Sequence, residues 1–158
     1  MSARIAILTG GEVPGMNLCI KSLVYRLIDL GFEPIGVRKG WEGLINYNHR
    51  DRSTYGANFI ELTKNIVRPI DRTPGSFLHS SRIDPLNIPS KLVPKFLQQE
   101  GAETQDLTEH LKEVAQRLDF RALLIIGDDV MLNYAAYLGQ QGVPIIAIPK
   151  TVHNNING

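Results

Sequence analysis

Two apolar runs separated by a helical stretch limit what this chain can fold into. Ala122 to Ile126 is short, uncharged and rich in branched side chains, and it stops at Gly127-Asp128-Asp129. Val143 to Ile148 is the second, and it stops at Pro149-Lys150-Thr151. Runs with no polar alternation read as strands buried on both faces, which is the pattern of a parallel sheet. The start of the chain repeats the unit. Arg4 to Leu8 reads as a strand, Thr9 to Gly15 as a glycine-bearing loop, and Met16 onward as a helix with apolar residues at 16, 19, 20, 23, 24 and 27. Gly31 suits a left-handed helix cap, and Glu33 to Val37 a second strand. The predicted class is α/β: a doubly wound, mostly parallel, Rossmann-like three-layer sandwich, with a sheet of about four strands. In such sheets ligands sit beyond the carboxyl ends of the strands.

The middle of the chain is less periodic. Tyr47 to Thr54 is polar, Phe59 to Ile66 holds a candidate strand, and Thr73-Pro-Gly-Ser76 is a turn. Pro85 and Pro89 make Ile83 to Ser90 read as irregular surface. Lys91 to Gly101 reads as helical after Pro94, and Thr104 to Leu118 as a helix with Leu107, Leu111, Val114, Ala115 and Leu118 on one side. The chain stops at Asn154-Asn-Ile-Asn-Gly158, just past a strand with no closing helix, so residues 1–158 are expected to be the N-terminal piece of a longer protein.

Of the 158 residues, 43% are hydrophobic and 21% charged, with a formal charge of +1, which gives no reason to expect a nucleic-acid or membrane surface. Cys19 is the single cysteine, so no internal disulfide forms and a reducing, cytoplasmic setting is expected.

Five stretches carry candidate chemistry. Thr9-Gly-Gly-Glu-Val-Pro-Gly15 lets backbone N–H groups approach an anion at a helix N-terminus, although a tight turn needs the same glycines. It lacks the Gly-Lys-Ser/Thr of a P-loop and the spacing of a dinucleotide fold. In Gly127-Asp128-Asp129 one carboxylate is explained as a helix cap, which leaves one over for Mg²⁺ and phosphate, with Asp129 preferred. Beyond the next strand, Lys150 offers a cation to phosphate oxygens and His153 a base or donor, against the plain alternative of a solvated loop. Arg82 has a planar fork suited to phosphate, although most surface arginines hold none, and Trp41 has a face to stack on a base or a sugar, although it serves equally as a packing residue.

Taken in order, these blocks resemble the phosphofructokinase family. Thr9-Gly-Gly-Glu-Val-Pro-Gly-Met-Asn17 is similar to its T-x-G-G-D-x-P-G-M-N opening, and Gly40-Trp-Glu-Gly-Leu44 to G-[YW]-x-G-L. Pro74-Gly-Ser-Phe-Leu-His-Ser-Ser-Arg82 is similar to G-G-T-x-L-G-[ST]-[SA]-R. Ile125-Ile-Gly-Asp-Asp129 and Pro149-Lys-Thr-Val-His-Asn-Asn155 resemble I-G-G-D-[GD] and P-[GK]-T-x-D-N-D. The resemblance implies a 6-phosphofructokinase of glycolysis in two parts: a donor-binding N-terminal domain here, incomplete in residues 1–158, and a substrate-binding second domain outside this chain. It implies Mg²⁺-dependent phosphoryl transfer from ATP or pyrophosphate to the 1-hydroxyl of fructose 6-phosphate, in a homo-oligomer (dimer or tetramer), with this piece alone inactive.

Carried over by position, Gly11 meets the donor phosphates, Trp41 lies near a nucleotide base, Arg82 bridges phosphates, Asp129 helps hold Mg²⁺ and Thr151 contacts the transferred group. The pattern is broken at His153 and Asn155, which replace its two Asp residues, at Asp128, which replaces its second Gly, and at Val130, which stands where ATP-using members have Gly and pyrophosphate-using members Asp. Lys150 matches the pyrophosphate type, so the donor leans that way. The alternative is a family-derived subunit that binds phosphate ligands without catalysis.

Overall fold

A computed structural model of the chain describes residues 2–11 and 14–150. Its elements are, in order, β1 (Arg4–Thr9), α1 (Met16–Asp29), β2 (Glu33–Val37), α2 (Trp41–Ile45), α3 (Ser53–Asn58), β3 (Phe59–Glu61), α4 (Lys64–Val67), β4 (Ile88–Pro89), β5 (Thr104–Gln105), α5 (Thr108–Arg117), β6 (Phe120–Gly127), α6 (Asp129–Gln140) and β7 (Ile145–Pro149). The main sheet runs β3-β2-β1-β6-β7. β1 pairs in parallel with β2 and β6, and β6 with β7, whereas β3 is an antiparallel edge on β2.

Alternate residues of the central strands serve opposite layers. Ala6, Leu8, Leu123 and Ile125 join Trp41, Leu111, Tyr134 and Leu138 on one face. Ile5, Ile7, Leu124 and Ile126 join Met16, Ile20 and Val24 on the other. The expected three layers are therefore present, and each fully buried Leu or Ile contributes about 1.5–3 kcal/mol. Helix α1 ends in a Schellman turn at Gly31 (φ 84°), with Phe32 N–H on Leu27 O at 2.9 Å and Gly31 N–H on Ile28 O at 3.0 Å.

Several expectations are corrected. β7 is not buried: it is an edge strand covered by α6 on one side only, and Ile146 is 51% exposed. Ile83 to Ser90 is not all irregular surface, because Ile88 is fully buried and Ile88–Pro89 pairs with Thr104–Gln105. That pairing holds Thr104 and Gln105 extended, so the helix begins at Thr108. Lys91 to Gly101 forms only single 3-10 turns at Ser90–Leu92 and Lys95–Leu97.

The chain goes from β1 outward to β2, then returns past β1 to β6 and outward to β7. Strand order therefore reverses between β1 and β6, the switch point at which open α/β sheets leave a crevice.

Candidate functional site at the sheet rim

The turn leaving β1 is built around a buried hydroxyl. Thr9 lies 3.1 Å from Ser76 Oγ and donates to His79 O at 3.3 Å, while Lys39 N–H donates to Leu78 O at 2.7 Å. These bonds lay Ser76–His79 across the ends of β1 and β2. Gly10 N–H closes onto Ile126 O at 3.0 Å, and Gly11 (φ 78°) and Gly15 (φ 78°) take left-handed conformations that a side chain would strain.

Helix α1 starts at Gly15 with no side-chain cap and no acid in its first turn. Among the described residues no side chain accepts from its leading N–H groups, which with the positive end of the dipole are suited to an external anion. The Lys150 ammonium sits at this end, 3.6 Å from where a Cβ on Gly15 would stand. Over it opens a cleft of about 850 Å³ lined by Gly11, Gly15, Asn17, Thr73, Ser76 and His79, among others. Asn17, 4% exposed, ties the cleft wall to the helix: its Nδ2 donates to Thr73 O at 3.1 Å, and its Oδ1 accepts from Phe77 N–H at 2.6 Å. Asp71 also faces the cleft, but its charge is matched by Lys21 at 3.1 Å, whose hydrogen bond holds the carboxyl below its ordinary pKa.

One strand over, the two carboxylates divide their work. Asp128 caps α6, its Oδ1 accepting from Met131 N–H at 3.3 Å. Asp129 is exposed, and among the described residues its Oδ1 accepts from the neighbouring Val130 N–H alone, at 3.0 Å. Among the described residues no cluster of three or more His, Cys, Asp or Glu side chains could hold a metal. A lone carboxylate fits Mg²⁺ shared with substrate phosphates, the habit of that ion, and does not fit an all-protein cage.

Gly11 lines the large cleft, the Lys150 ammonium lies beside Gly15 of that lining, and Asp129 follows the end of the adjacent strand β6. Arg82 is exposed, three residues beyond His79, and forms no ion pair with a described residue. Trp41 is 2% exposed, edge-on to Tyr134 with ring centroids 4.9 Å apart, so most of its ring surface is committed to the core. Thr151 and His153 lie outside the described residues.

Sequence reading gave no role to Asn17, Met131 or His79. Asn17 was detectable as a polar residue beside the buried stripe of α1. His79 holds φ 60° where the family pattern quoted above has Gly, and that mismatch was its signal. Met131 reads as an ordinary core residue.

The architecture is that of an α/β domain whose crevice opens beyond the carboxyl ends of parallel strands. A family profile described as phosphofructokinase matches residues 4–158, so the chain belongs to the phosphofructokinase family. It is 32% identical over 155 residues to the ATP-dependent 6-phosphofructokinase 3 of Streptomyces coelicolor, covering 97% of this chain and 38% of that protein. It is also 32% identical over 154 residues to the pyrophosphate–fructose 6-phosphate 1-phosphotransferase of Dictyoglomus thermophilum, covering 97% of this chain and 37% of that one. The chain thus spans under two-fifths of the length of these relatives. Among solved structures, the phosphofructokinase of Saccharomyces cerevisiae superposes with a TM-score of 0.72 at 19% identity, over 99% of this chain and 21% of its own, which supports the fold.

Proposed function

We propose that this chain is the donor-binding part of a 6-phosphofructokinase-type phosphotransferase, which moves a phosphoryl group from pyrophosphate or ATP to the 1-hydroxyl of fructose 6-phosphate. The observation that carries the reading is the N-terminus of α1, without a side-chain cap among the described residues, beneath a large cleft lined by Gly11, with Lys150 beside Gly15. Backbone N–H groups and an ammonium there would grip donor phosphates, and Arg82 would approach along the same rim. Mg²⁺ held by Asp129 and phosphate oxygens would neutralise charge on the transferred group. His153 would accept the sugar hydroxyl proton and Thr151 would contact the moving phosphoryl. The acceptor-binding groups would come from a second domain beyond residues 1–158.

The test is calorimetry with Mg²⁺ and each donor, paired with an assay for phosphorylation of fructose 6-phosphate. Donor binding that falls at least about tenfold in Asp129→Asn, without turnover by residues 1–158 alone, is expected. Turnover by these residues alone would overturn the division into donor and acceptor parts. Absence of binding by either donor would overturn the reading itself. A second reading, ligand binding without catalysis, is favoured by His153 and Asn155 at the family's two Asp positions. A two-domain protein that binds both substrates and makes no product would establish it.

A further inference from the structure

Among the described residues, Lys39, His79 and Asp119 hold a positive φ without being glycine, and of these His79 lines the large cleft. Its φ of 60° is a left-handed conformation that costs a side chain and costs glycine nothing. The turn imposes that conformation through the backbone. His79 N–H donates to Ser76 O at 3.1 Å, and His79 O accepts from Thr9 Oγ1 at 3.3 Å. The carbonyl before it, Leu78 O, accepts from Lys39 N–H at 2.7 Å, and the Leu78 side chain is fully buried. Any residue at position 79 would make the same bonds, and glycine would make them without strain. The imidazole itself is exposed, and it forms no ion pair with a described residue. The turn uses the backbone of His79 and leaves its ring to the cleft.

The charges around that ring suit an anion. Asp71, on the same cleft, is matched by Lys21 at 3.1 Å, with Arg72 next to it in the chain. Lys39, whose N–H holds this loop, is 3.9 Å from Glu42. The Lys150 ammonium lies beside Gly15 of the cleft lining, and Arg82 follows His79 by three residues. With the two ion pairs neutral, the remaining described charges near this wall are positive. The cleft, at about 850 Å³, has ample room for a chain of phosphates.

We propose that His79 is a phosphate-binding residue of this cleft, its ring donating a hydrogen bond to an oxygen of the phosphoryl donor. This rests on the donor-site reading above and adds to it a contact that titrates. Imidazole is the side chain whose charge ordinarily changes between about pH 5 and 8. As imidazolium it makes a charge-assisted bond to phosphate, roughly twice as strong as a neutral one. The donor is therefore held more tightly as the pH falls through that range. Backbone strain is kept at position 79 because the ring it carries reaches the ligand.

The experiment is calorimetric titration of the chain with Mg²⁺-pyrophosphate and with Mg²⁺-ATP, across pH, in wild type, His79→Gly and His79→Asn. Both substitutions suit a left-handed backbone, so each variant should keep its unfolding midpoint, and the glycine variant should keep or raise it. At about pH 6 His79→Gly should bind every donor that wild type binds at least about tenfold more weakly, and the gap should narrow to within about threefold by about pH 8. His79→Asn should lose the same pH dependence, and comparison with the variants cancels the titration of the donor itself. In wild type the Cε1–H resonance of the His79 ring should shift saturably with the donor. Parallel pH profiles in wild type and either folded variant, or a ring resonance that stays still, would overturn the proposal. Failure of wild type to bind either donor at any pH would remove the donor-site reading and this inference with it, whereas donor binding indifferent to His79 removes the inference alone.

Discussion

At the carboxyl end of β1, helix α1 begins at a left-handed glycine with no side-chain cap and no acid in its first turn. At the carboxyl end of β6, the next strand, helix α6 begins at Asp128, whose carboxylate accepts a backbone N–H, and carries Asp129 beside it. The two turns have the same place in the topology and opposite electrostatics. One has no side-chain cap among the described residues and opens under a cleft; the other supplies its own anions and packs Met131 against Gly10 and Gly127. On these charges the first turn would favour an anion, and the second, with two carboxylates, a cation. The pair teaches that a glycine-rich βα turn is not by itself an anion site. What stands over it decides.

The comparison can be tested from its closed side. Gly10→Ala drives a methyl into Met131 and should cost about 1–3 kcal/mol by denaturant unfolding. A second substitution, Met131→Ala, should recover part of that loss, because the two positions are coupled through one contact. Additive losses would show that Met131 does not fill the space beside Gly10.

Asp128→Ala makes α6 resemble α1 and should cost about 1 kcal/mol, the ordinary value of a lost cap. The converse change is Leu18→Glu, which gives α1 an acid in its first turn at a position 56% exposed and bordering the cleft. It should stabilise the fold by about 0.3–1 kcal/mol while weakening pyrophosphate binding, since the new carboxylate takes the place of the external anion. A variant that gains stability and keeps full affinity would show that the bare helix end is not where the anion binds.

The smallest effect lies away from the rim. His110 on α5 has its Nε2 3.2 Å from Leu44 O, and burial holds its pKa below the ordinary 6.5, with Glu113 and His49 as charged neighbours. The unfolded chain therefore takes up a proton at a pH where the folded chain does not. This contribution to stability is full above about pH 6.5 and is lost as the pH falls below it. In His110→Asn that part of the slope should disappear from a pH series of unfolding curves.

How much of this could be read from sequence depends on how local the cause is. β1, β2 and β6 were legible because a buried strand and a helical stripe each leave a period in the chain. β7 has the same composition as a buried strand, and only its place at the sheet edge exposes Ile146. Ile88 sat between prolines that signal irregular surface, yet tertiary packing buries it completely. At the rim, the positions of Gly11, Asp129 and Lys150 followed from polar residues placed just after strands. Met131 was illegible, because an apolar residue in the first turn of a helix says nothing of three glycines brought to it by distant turns.

The bare end of α1 is the centre of the account, and backbone amide shifts report on it directly. On titration with inorganic pyrophosphate and Mg²⁺, the amides of Gly11, Gly15, Met16, Asn17 and Leu18 should show the largest saturable changes, with those of α6 beyond its first turn nearly still. Changes scattered over surface lysines, or none at the start of α1, would contradict it.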